Sequence, residues 1–196
     1  MARHRKKRGR HAIVSGADWV KQFPTSQSVD DLASPFKENV KAFLTALQDA
    51  GATTKISATY RPPERAYLMH YSYRIAREGL DPRKVPARNG VDIDWVHRDS
   101  NGKVDLAASR NAAEDMVNAY DIVYRPALYS QHTRRLAIDV SISWTDTLSI
   151  RNAKGTTVSI TGSPRTGQNA QLIAVGKSYG VIKLASDPPH WSSDGT

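Results

Sequence analysis

The chain has 196 residues, enough for one medium domain with a real core, and an apolar share of 39% suits a globular protein. No run approaches the roughly 20 apolar residues of a membrane span, and the absence of cysteine excludes disulfides and thiolate metal sites. A formal net charge of +9 favours polyanionic partners such as nucleic acid, teichoic acid or an anionic membrane surface.

Residues 1–12 read as a basic, disordered tail, because seven of the first ten are Arg, Lys or His. No apolar segment of about 7–15 residues follows, so no secretory signal is expected there. Residues 33–50 carry a helix pattern: Ser34 can N-cap, Pro35 suits the first helical position, and Gly51 stops it. Phe36, Val40, Phe43, Leu44 and Leu47 then share one apolar face. The β-branched run from Thr53 to Tyr60 predicts a strand, and Glu64 to Arg77 a second helix after Arg61-Pro62-Pro63. Residues 80–104, rich in Pro, Gly, Asp and Arg, read as a long loop.

Asp105 can cap a third helix whose Leu106, Ala113, Met116, Val117 and Tyr120 share a face. Leu136, Ile138, Val140, Ile142 and Trp144 alternate, which predicts a half-buried strand with Asp139 on its opposite face. Residues 145–165 suggest a hairpin turning at Gly155, and Asn169 to Tyr179 a helix closed by Gly180. Val181 to Leu184 is read as a last strand delivering Asp187 and His190. The sum is an α+β fold with a small, mainly antiparallel sheet flanked by helices, in one domain over residues 13–196.

The chemistry concentrates in two segments. Ser130-Gln131-His132-Thr133-Arg134-Arg135-Leu136-Ala137-Ile138-Asp139 supplies a histidine and, seven residues on, a carboxylate. Asp187-Pro188-Pro189-His190-Trp191 supplies a second histidine with a carboxylate three residues before it. Two imidazoles and one carboxylate make a three-ligand zinc set with a fourth position open to water. The spare carboxylate, Asp187, is then available as a general base.

These residues resemble a family. Ser130-x-His132-x-x-Arg135-x-Ala137-x-Asp139 is similar to the Ser-x-His-x-x-Gly-x-Ala-x-Asp signature of LAS metallopeptidases, in the branch of D-alanyl-D-alanine carboxypeptidases and L-alanyl-D-glutamate endolysins. Asp187-x-x-His190-Trp191 resembles the second motif of that branch, and Thr59-Tyr60-Arg61 its Ser-x-Tyr-Arg element. The resemblance spans roughly residues 35–191, though only the three motifs are specific.

The resemblance implies a hedgehog/D-Ala-D-Ala-peptidase-like fold with one zinc ion on His132, Asp139 and His190. It implies that Asp187 takes a proton from water and passes it to the leaving amine, and that Arg61 holds the substrate and steadies the oxyanion. The implied protein is a peptidoglycan peptidase that cuts a stem or cross-link bond, with an endopeptidase or lytic role favoured over a D,D-carboxypeptidase. Such an enzyme would be made in the cytoplasm and act on the cell wall or periplasm after release or injection. A monomer is expected, with an immunity or delivery protein as a further partner.

The chain departs from the pattern at Arg135, which stands where the signature has glycine. A non-catalytic zinc module is therefore one alternative, and a basic nucleic-acid-binding protein, the disfavoured reading of the charge, is another. Four further features are read as structural. His97 among Asp92, Asp94 and Asp99 is a solvated loop before it is a second metal site. His70 beside Tyr67, Tyr71 and Tyr73 is a packing or surface residue, Glu114 and Asp115 a charged helix face, and Trp191 core packing.

Overall fold

The computed structural model describes residues 12–196, so the basic tail read over residues 1–12 lies, apart from Ala12, outside the described residues. In chain order the elements are β1 (Ile13–Val14), α1 (Phe36–Asp49), β2 (Thr53–Ala58), α2 (Pro63–Arg77), β3 (Ile93–Asp94) and α3 (Leu106–Ala119). There follow β4 (Ala137–Ser143), β5 (Leu148–Arg151), β6 (Thr157–Ile160), α4 (Ala170–Ser178), β7 (Ile182–Lys183) and β8 (His190–Ser192). The α+β class is as expected, with an antiparallel sheet flanked by helices.

The described chain divides into two compact units, each with its own core. The first comprises residues 12–24 and 63–128. Here α2 and α3 bury Leu68, Ile75, Ala113 and Met116 together with Trp19 and Trp95. The stretch 80–104, read as loop, contains β3, which pairs in parallel with β1. Two residues are too short a run to show strand periodicity. Asp105 caps α3 as expected, its carboxylate accepting from the Ala108 N–H at 2.9 Å.

The second unit comprises Thr25–Pro62 and Tyr129–Thr196. Its sheet has the order β2-β4-β8-β7, antiparallel throughout. Ile138, Val140 and Ile142 of β4 point to one face, where Phe36, Val40, Phe43 and Leu47 of α1 and Leu172 and Val175 of α4 bury them. The β5–β6 hairpin adds Leu148, Ile150 and Ile160, and Gly155 in its turn takes φ 81°.

Three boundaries differ from the reading. Helix α1 starts at Phe36, and the Ser34 hydroxyl donates to the Glu38 carboxylate at 2.9 Å instead of capping a backbone N–H. Strand β2 ends at Ala58, after a register shift between Ile56 and Ala58. The single terminal strand is in fact two, because His190–Ser192 forms β8 between β4 and β7. Pro188 and Pro189, which lack an N–H, separate them.

Candidate metal centre

The alternation of β4 fixes the first donor. Since Ile138 and Val140 point into the core, Asp139 points to the other face. The register of β8 fixes the second, because His190 lies directly opposite Asp139 and directly opposite residues share a face. Trp191 turns to the core side, where it is fully buried with its ring 5.4 Å from that of Phe43. Trp191 is thus core packing.

His132 enters from the turn before β4. Ser130 and Thr133 tie that turn reciprocally: the Ser130 N–H donates to Thr133 Oγ1 at 2.9 Å, and Thr133 Oγ1 donates to the Ser130 carbonyl at 2.9 Å. Arg135 completes it in the left-handed region at φ 65°, with its N–H on the His132 carbonyl at 3.2 Å. That conformation is the one glycine adopts most readily. The Arg135 guanidinium stacks 4.3 Å above the Tyr60 ring and does not line the cavity beside the histidines.

The three side chains converge. His132 Nε2 lies 3.1 Å from Asp139 Oδ1 and 3.2 Å from His190 Nδ1, and His190 Nδ1 lies 2.9 Å from Asp139 Oδ1. The remaining nitrogens face carbonyls, which only accept. His132 Nδ1 therefore donates to the Thr59 carbonyl at 2.8 Å, and His190 Nε2 to the Thr196 carbonyl at 3.2 Å. Each carbonyl fixes a tautomer that turns a lone pair inward, as outer partners of metal-binding histidines do.

Two imidazole lone pairs and a carboxylate pointing at one spot make a donor set that could hold a cation among them. Bond lengths of 2.0–2.2 Å in a tetrahedral zinc site set donors about 3.3 Å apart, close to the spacing seen here. The residues therefore fit a metal ion, and imidazole with carboxylate suits a first-row divalent ion, zinc among them. Among the described residues no other group of His, Asp or Glu donors has such spacing.

With protons on the inward nitrogens in place of an ion, His132 and His190 donate to Asp139 instead. Burial would raise the Asp139 carboxyl, but the hydrogen bonds and charges of His132 and His190 outweigh it and hold it well below the ordinary carboxylate range. Burial would lower His190, yet its hydrogen bond to Asp139 and that carboxylate's charge leave it raised.

The triad opens into a cavity of about 560 Å³ that Arg61, Tyr129, Gln131, Arg134, Asp187 and Thr196 also line. Arg61 is half-buried, and its backbone N–H donates to the His132 carbonyl at 3.2 Å, so it abuts the ligand turn. Asp187 is exposed on the β7–β8 loop. All five residues singled out from sequence thus border one space. The Thr59 and Thr196 carbonyls escaped sequence reading because backbone groups carry no residue signature. Lys183 escaped too, although a charge inside Val181-Ile182-Lys183-Leu184 was a signal that could have found it.

The other candidates have structural partners. His97 Nε2 contacts the Ser15 hydroxyl at 3.1 Å and carbonyl at 3.0 Å, and His70 Nδ1 donates to the Pro126 carbonyl at 2.8 Å. Asp99 accepts from the Asn101 and Lys103 N–H groups, and Glu114 pairs with Arg77. No family model matches the chain, and neither does any curated protein.

Proposed function

We propose that this protein is a zinc-dependent peptidase that hydrolyses a peptide bond in the stem peptide or cross-link of peptidoglycan. The observation that carries this reading is the convergence of His132, Asp139 and His190 in a cavity that a free carboxylate, Asp187, and a guanidinium, Arg61, also border. It rests as well on the resemblance of the three motifs to the LAS metallopeptidases. A bound zinc supplies Lewis acidity and makes water acidic enough to react near neutral pH.

The protein's own groups perform the remaining tasks. His132 and His190, locked by their carbonyls, keep neutral nitrogens aimed at the ion. Asp187, exposed at the cavity edge, accepts the proton of the attacking water and returns it to the leaving amine. Arg61 brings fixed positive charge to the scissile carbonyl, where negative charge develops. The excess of basic side chains favours anionic wall polymers and suits action on the cell wall after release or injection.

The deciding experiment is digestion of purified peptidoglycan by zinc-loaded protein with mass-spectrometric identification of products, alongside His132→Ala. Release of single D-alanine would identify a carboxypeptidase; split cross-links or a cut stem, which we expect, an endopeptidase. Bound zinc without products from several wall types would make the site a non-catalytic module.

A further inference from the structure

The loop between β7 and β8 carries Asp187 and ends at His190, and its backbone closes on itself. The Leu184 N–H donates to the His190 carbonyl at 3.1 Å, the His190 N–H to the Asp187 carbonyl at 3.1 Å, and the Asp187 N–H to the Leu184 carbonyl at 3.2 Å. Three residues thus form a ring of three hydrogen bonds, each carbonyl with one lone pair still to satisfy.

The Lys183 ammonium occupies the hub of that ring. Its Nζ donates to the Leu184 carbonyl at 2.6 Å, to the His190 carbonyl at 3.1 Å and, in a short contact, to the Asp187 carbonyl. An ammonium has three donors, and all three are used. The residue is only 8% exposed and makes no ion pair among the described residues. Its Nζ also lies 5.7 Å from the centre of the Trp191 ring. Burial lowers its pKa, and the charges of Asp187 and Asp139 oppose that shift.

We infer that Lys183 is a positioning residue for the metal centre: its buried ammonium gathers the carbonyls of Leu184, Asp187 and His190 and so sets the loop that presents Asp187 and His190 to the cavity. Burying a charge without a carboxylate partner is costly, and the three carbonyls repay it only while the ring is closed. Remove the ammonium and three inward-facing oxygens confront one another with nothing between them. The ring then opens, and His190 loses its fixed relation to Asp139. The link from Lys183 to metal binding rests on the reading of the triad as a metal site; the link to loop order does not.

The chain has no cysteine, so Lys183→Cys introduces a single thiol that 2-bromoethylamine converts, in denaturant before refolding, into a side chain ending again in an ammonium. Co²⁺ titration followed by the visible d–d bands, together with amide hydrogen exchange of residues 184–192, reads the outcome. We expect Lys183→Met and carbamidomethylated Lys183→Cys to bind Co²⁺ at least tenfold more weakly, with altered bands and faster exchange at Asp187 and His190. Aminoethylation should restore affinity to within about threefold, a recovery that packing alone cannot produce. Lys183→Met with unchanged affinity and unchanged exchange would overturn the inference, as would equal recovery with the carbamidomethyl and aminoethyl groups. If Lys183→Met does not fold, the comparison of the two alkylated forms decides. Wild type that binds Co²⁺ but cleaves no peptidoglycan defeats the proposed function and leaves this test intact. Wild type that binds no metal defeats the metal reading, and amide exchange still decides whether Lys183 orders the loop.

Discussion

Asp139 and His190 are direct partners across the β4–β8 ladder, and their side chains meet with Oδ1 2.9 Å from Nδ1. A ladder position fixes both Cα atoms and both faces, so the pair needs no loop to hold it. His132 joins from a turn whose carbonyls and hydroxyls are internally satisfied. Two of the three donors therefore stand on sheet and the third on a braced turn, a rigid support for a metal ion.

Zinc should stabilise the fold. At a free concentration one hundred times its dissociation constant, a ligand bound only by the native state adds about 2.7 kcal/mol. Thermal unfolding with zinc and with excess chelator should differ by several degrees, and His132→Ala or Asp139→Asn should abolish the difference. Identical melting of wild type with and without zinc would refute a metal centre here.

Asp187→Ala separates binding from chemistry. Asp187 is exposed and outside the donor triad, so zinc stoichiometry should stay at wild-type level. Turnover of peptidoglycan should fall by about 10²- to 10⁴-fold, the usual loss on removing a general base. Undiminished release of stem fragments would assign the proton transfer to another group.

Arg135 exchanges backbone strain for a stacking contact with Tyr60. A non-glycine residue in the left-handed region costs about 1 kcal/mol, and exposed stacking returns about 0.5–1 kcal/mol. Arg135→Gly should leave stability within about 1 kcal/mol of wild type. Arg135→Ala keeps the strain and loses the stack, and Arg135→Val, β-branched at positive φ, should be worst. Urea unfolding checks this order, which a Val variant as stable as the Gly variant would contradict.

In the other unit, burial pushes the Tyr120 hydroxyl up to about 12, against the opposing charge of Arg65. The folded form therefore holds its proton while the unfolded chain releases it near 10. The stabilising contribution is complete below pH 10 and is lost as pH rises towards about 12. Tyr120→Phe should flatten the decline of the urea midpoint across that window. An unchanged decline would show that Tyr120 ionises without cost in the native state.

The site was legible in sequence where side chains carry it. Leu136 to Trp144 alternate, which by itself places Asp139 off the apolar row, and Asp187 stands three residues before His190. What stayed hidden had no periodicity to display. A three-residue strand such as β8 shows no alternation, and the carbonyls of Thr59 and Thr196 belong to every residue type. The division into two units was hidden as well, because residues 12–24 join residues 63–128 across an intervening segment. Contacts so distant leave no local trace. Lys183 looked like an interruption of an apolar strand and is the hub of a loop.

The inner position of β8 has a consequence for assembly. It follows every other strand in the chain yet lies between β4 and β7 in the sheet. During synthesis on the ribosome, His132 and Asp139 emerge roughly fifty to sixty residues ahead of His190, and until that strand slots home Asp139 is paired only with Ala58 of β2. A nascent chain that has exposed His132 and Asp139 but not His190 holds two of the three donors, so the full donor set forms only when β8 takes its place beside β4.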